Sequence, residues 1–189
     1  MRIIKSYKIF ESLNSHISID EYLNMIRIPQ DKIPKIVDWW NENRSNIRIN
    51  YFPFSTVLPI LGVFLGTDDV AINKNLNAPG FMKLFILLHE SRHCDQHKEG
   101  IFMEGYYDSV VNDNKEEFLK NYEILEKDAN DFAINSMKII GFESEMKREE
   151  SHLRGNESGG NHVYNMMKND ILKYNPTDFI DLLKRQIGI

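Results

Sequence analysis

The spacing of hydrophobic positions changes character along this chain, and each change predicts an element. Residues 7–27 and 31–45 carry apolar positions at helical intervals and predict two helices. In the second, DKIPKIVDWWNENR sets Ile33, Ile36, Val37 and Trp40 on one face. Pro34 falls in its first turn, where a missing N–H does no harm. The adjacent Trp39 and Trp40 are expected to pack in the core rather than to form a binding surface. From residue 47 the period shortens to two. NIRINYFPF alternates apolar and polar positions, and LPILGVFLGTDDVAIN predicts two short strands around a Gly-Thr-Asp-Asp turn.

After the loop KNLNAPG the pattern becomes helical and almost wholly apolar. FMKLFILLHESRHCDQHKEG predicts a buried helix that Gly100 stops. A long helix follows over 114–140, with Phe118, Tyr122, Leu125, Ala129, Phe132 and Ala133 on its apolar face. Beyond it the pattern predicts a polar helix, the loop RGNESGGNH around 155–162, and two more helices separated near Pro176. The expected fold is α+β and mainly helical: a small, mostly antiparallel sheet, a buried helix, then a second long helix. One domain is expected over 1–189, with a helical segment at 1–45, a core at 46–141 and C-terminal helices at 142–189.

Composition narrows the function classes. The net charge is −5 with no dense Lys and Arg run, so nucleic acid and anionic membrane surfaces are not expected partners. No apolar run approaches the ~20 residues that span a bilayer. The start, MRIIKSYKIFESLNSH, lacks the continuous apolar core of a signal peptide. Cys94 is the single cysteine, which excludes an intramolecular disulfide and favours a reducing compartment. A cytoplasmic location is therefore expected. The sequence leaves the oligomeric state open.

The chemistry lies in LFILLHESRHCDQH. His89 and His93 are four residues apart, so on a helix both imidazoles project from one side, about a turn apart. That spacing lets both reach one tetrahedral Zn²⁺. Glu90 stands beside the first histidine, where it can serve a water as a base without being a ligand. Cys94 points roughly 100° away from His93 around the helix and is read as buried packing.

A catalytic zinc usually takes three protein ligands. His97 is excluded because a continuous helix rises roughly 12 Å between it and His89. Glu99 would need the chain to turn back through a glycine after His93, and Gln96 stands there instead. His97 and Glu99 are read as partly exposed helix residues. Glu126 is the better candidate. Tyr122, Ala129 and Ala133 flank it at helical spacing, so its carboxylate lies on or beside a buried face, a costly place without a positive partner. Ala129 and Ala133 are small enough for close approach of the two helices, and Asn130 can hydrogen-bond a ligating histidine from behind. Glu123 and Asp128 are read as solvated.

The order VFLGTDDVAIN, KLFILLHESRH, EKDANDFA resembles the gluzincin clan of zinc metallopeptidases, and within it the ImmA/IrrE-type peptidases. The resemblance covers roughly residues 60–135. It implies His89, His93 and Glu126 as zinc ligands and Glu90 as the base.

The function expected is hydrolysis of peptide bonds in a restricted protein substrate by a metal-activated water. The alternative is a non-proteolytic regulatory or interaction protein that keeps the zinc for stability. A second donor to the reacting carbonyl is expected among Tyr106, Tyr107, His152 and His162, and the loop at 155–162 is read as a plain mobile loop, with a lid or plug over the cleft as the alternative. The strand VAIN is a candidate edge for an extended substrate.

Overall fold

Ser18 starts a helix with a full capping box. Its hydroxyl accepts from the Glu21 backbone N–H at 3.2 Å, and the Glu21 carboxylate accepts from the Ser18 N–H at 2.8 Å. The computed structural model describes residues 16–53, 61–65, 68–100, 112 and 114–153. Its elements in chain order are β1 (His16–Ile17), α1 (Ile19–Met25), α2 (Ile33–Asn43), β2 (Arg48–Phe52), β3 (Gly62–Phe64), β4 (Asp69–Asn73), α3 (Gly80–Lys98), α4 (Lys115–Ile139) and α5 (Glu143–Leu153). The first helix is therefore shorter than the expected 7–27. Ser18 caps it at its start, residues 16 and 17 pair as strand, and residues 7–15 lie outside the described set. The expected helices around Pro176 also lie outside it.

Helix ends follow backbone hydrogen bonding. After α1, Arg27 takes a left-handed conformation (φ 61°), its N–H reaches Asn24 O, and the Ile28 N–H reaches Leu23 O. The same double closure ends α4, with Gly141 at φ 102° and the Phe142 N–H on Met137 O. At the start of α3, Gly80 passes so close to α1 that a Cβ there would meet Ile26 O at 2.3 Å.

The sheet has the order β1-β2-β4-β3. Two of its pairings are antiparallel, β1 with β2 and β3 with β4, while β2 and β4 run parallel, Ile49 opposite Val70. The sheet is mostly antiparallel, as expected, and its one parallel pairing arises because the chain runs from β2 through β3 before laying down β4 beside β2. One expectation needs correction. The strand VAIN is β4, which is bonded along both edges, to β2 and to β3, so it has no free edge to offer a substrate. Among the described residues, β3 is the edge strand on that side.

Helix α3 packs on β3 and β4 and against α4. Leu84, Phe85, Ile86, Leu87 and Leu88 are all buried in sequence, as in a helix covered all round. Ala129 and Ala133 are fully buried on α4, where side chains this small let the two helices approach closely. The apolar core is continuous from Ile19 on α1 through Trp40, Ile72 and Leu87 to Met146 on α5. Trp40 lies within it, and Trp39 packs against Phe132 with ring centroids 6.5 Å apart. Among the described residues, no helix is long and apolar enough to cross a membrane.

Candidate metal centre

The close contact of α3 and α4 brings three side chains together. His89 Nε2 lies 3.2 Å from Glu126 Oε2, His93 Nε2 lies 3.3 Å from Glu126 Oε1, and the two Nε2 atoms are 3.0 Å apart. Donor atoms of all three fall within 4.8 Å of one another. The side chains of His89, His93 and Glu126 are 12%, 6% and 20% exposed, so the cluster is sunk in the protein.

The far nitrogen of each ring is held. His89 Nδ1 lies 3.0 Å from Asn130 Oδ1, on the residue one turn after Glu126. His93 Nδ1 lies 2.7 Å from Gln96 Oε1. Both partners are amide oxygens, which only accept, so each Nδ1 carries the proton and donates it. The lone pairs of the neutral rings then sit on Nε2, facing each other and the Glu126 oxygens. Three Lewis-basic groups converge with no hydrogen-bond donor among them, unless a proton or a cation lies between. The electrostatics of the bare cluster favour a proton on His93. Burial alone would depress His93, but the Glu126 carboxylate overrides it and carries the ring up to about 9. Burial would likewise raise Glu126, and the two histidines instead hold it well below the usual carboxylate range.

Glu90 lies beside this cluster but takes no part in it. It is 9% exposed, and burial pushes its carboxyl up, against the opposing pull of His89 and His93. The backbone N–H of Phe64 donates to it. A Cβ on Gly62 would meet Glu90 Cγ at 2.8 Å and Ile86 Cγ2 at 2.9 Å, so Glu90 rests directly on the backbone of β3. The Phe64 ring leans on His93 with centroids 5.6 Å apart.

The remaining candidates separate cleanly. Among the described residues, His97 and Glu99 lie outside the cluster: His97 is beside Phe64, and the exposed Glu99 pairs with Arg92 at 2.9 Å. Cys94 is fully buried, its thiol near Asp69 O, and burial pushes it up to about 12. Asp128 is exposed, as expected, but it is also engaged by the neighbouring helix. Although its side chain is 47% exposed, it accepts from Arg92 Nε at 2.7 Å and from Gln96 Nε2 at 2.8 Å. Gln96 and the Gly62–Phe64 strand are the site features that sequence reasoning missed. The three-residue step from His93 to Gln96 on a buried helix was a signal available for the first. Tyr106, Tyr107, His162 and the 155–162 loop lie outside the described residues, as does the side chain of His152.

No family model, no curated protein and no solved structure matches this chain.

Proposed function

We propose that this protein is a zinc-dependent peptidase of the gluzincin type, in which His89, His93 and Glu126 hold Zn²⁺ and Glu90 is the general base. The observation that carries the reading is the convergence of two imidazole lone pairs and a carboxylate, each ring fixed from behind by an amide oxygen. Two histidines and a glutamate are a donor set suited to zinc, and they leave a fourth position free for water or substrate. When bound, the metal supplies Lewis acidity, polarising a substrate carbonyl and making water nucleophilic near neutral pH.

The protein's own groups do the rest. Glu90, buried and held above the usual carboxylate range, takes a proton from the attacking water and hands it to the leaving amine. The Phe64 N–H keeps its carboxylate at the β3 side of the cluster. An extended peptide added to the outer edge of β3 would pass beside Glu90 and the ligand set. A zinc site kept for stability alone has no use for such a buried, non-ligating acid. The proposal includes a cytoplasmic setting, supported by the single, buried cysteine.

The test is Glu90→Gln. Zinc-loaded wild type and variant are incubated with a proteome-derived peptide library, and newly formed amino termini are counted by mass spectrometry. Glu90→Gln is expected to retain zinc and to lose cleavage by about 10²–10⁴-fold. Equal cleavage by both would remove Glu90 from the mechanism. Zinc retention with no cleavage by wild type would favour a non-proteolytic zinc protein.

A further inference from the structure

Gln96 is fully buried on α3 and makes three hydrogen bonds, all to the proposed centre or its supports. Its Nε2 donates to Leu125 O at 3.0 Å and to Asp128 Oδ2 at 2.8 Å. Both are acceptors only, so the amide has one possible orientation and Oε1 must face His93 Nδ1, 2.7 Å away. Leu125 immediately precedes Glu126 in the chain. One side chain therefore ties the ring of one proposed ligand to the backbone turn that carries another. Asp128 is itself steadied by Arg92, the residue before His93. Asn130 braces in the opposite sense, reaching from α4 to His89 on α3.

We infer that Gln96, backed by Asp128, is a positioning residue of this centre: it fixes the tautomer and direction of His93 and sets the distance of Glu126 from it. The inference rests on the metal-centre reading. Burial of an amide with both its donors and its acceptor engaged is costly to rearrange, so the ring it holds has one orientation. Partners of this kind behind a ligating histidine typically govern metal affinity by about 10–100-fold. The proton on Nδ1 and the lone pair on Nε2 are both consequences of the amide oxygen lying where it does.

The experiment compares wild type, Gln96→Leu, Asp128→Ala and Glu126→Ala. Zinc affinity is read by competition with a chromophoric chelator, ligand geometry by the visible absorption of the Co²⁺-loaded protein, and folding by circular dichroism of the metal-free forms. Gln96→Leu is expected to weaken zinc by about 10–100-fold and to shift the Co²⁺ bands. Asp128→Ala, at a half-exposed position that leaves Gln96 its bond to Leu125, is expected to show a smaller loss in the same direction with the fold intact. Should Gln96→Leu fail to fold, Asp128→Ala decides alone. If the folded variants hold zinc as tightly as wild type with unchanged Co²⁺ spectra while Glu126→Ala does not, Gln96 is a packing residue and the inference is overturned. If wild type itself takes up no zinc, the metal-centre reading has failed and the inference falls with it.

Discussion

Zinc at about a thousand times its dissociation constant is expected to raise the thermal midpoint of this protein by about 8–16 °C. Binding to the folded state alone contributes roughly 4 kcal/mol at that excess, and each kcal/mol moves the midpoint by about 2–4 °C in a chain of this size. The rise should also depend on pH in a defined sense. In the metal-free protein His93 is raised from 6.5 to about 9 by its contact with Glu126. A raised folded value means that this stabilisation is complete below pH 6.5 and is lost as pH climbs through 9. Glu126, whose value is depressed, stays a carboxylate throughout that window. Zinc needs the neutral ring and competes with the proton. Raising the pH therefore weakens the metal-free form while strengthening metal binding. Scanning calorimetry with zinc and with EDTA, repeated between pH 6.5 and 9, should show the gap widening. A gap that narrows over this range would mean that zinc and the His93 proton do not share a site.

The second large effect is expected at Gly62. A Cβ there meets Glu90 Cγ at 2.8 Å, Ile86 Cγ2 at 2.9 Å and Ile72 Cδ1 at 3.1 Å, on two elements at once. Ile72 belongs to β4 and is fully buried, while Ile86 lies in the packed core of α3. Glu90 has the freest side chain of the three, but moving it breaks its bond from the Phe64 N–H. Gly62→Ala is expected to cost about 1–3 kcal/mol of stability, the range for overpacking a filled site. On the proposed mechanism, cleavage should fall further than stability suggests, by about 10²-fold, because Glu90 would be displaced from the place where it is proposed to act as the base. Zinc stoichiometry should be unchanged, since the atoms a Cβ at Gly62 meets most closely belong to Glu90, Ile86 and Ile72 and not to the proposed ligands. Unfolding curves, zinc content and peptide turnover on one preparation separate these effects. Full turnover by Gly62→Ala would show that Glu90 does not work from the position β3 gives it.

Local patterning made much of this arrangement readable. The four-residue step from His89 to His93 on an apolar helix puts two imidazoles on one side by helical geometry alone. Glu126 stood out because a carboxylate among Tyr122, Ala129 and Ala133 needs a positive partner, and the pairing of Asn130 with His89 follows from the same helical step. What stayed hidden depends on contacts between distant segments. The parallel pairing of β2 with β4 joins strands separated by β3, and nothing in either strand's own alternation specifies it. β1 is two residues long and lay inside an apparently helical stretch, where the Ser18 cap outweighed the apolar spacing. Asp128 looks solvated on its own helix, and its role emerges only when Gln96 and Arg92 arrive from α3. Gly62 has no side chain to signal anything, yet its bare backbone sets where Glu90 rests.

The most direct test of the central claim is zinc per chain, by elemental mass spectrometry, for wild type, Glu126→Ala and Glu99→Ala. About one zinc per chain is expected in wild type and in Glu99→Ala, because a His₂Glu set is one complete catalytic-type site. Glu126→Ala should retain little, since it removes the carboxylate that, among the described residues, lies within reach of both rings. A wild type that binds no zinc under any loading, or a site emptied by Glu99→Ala and not by Glu126→Ala, would contradict the account.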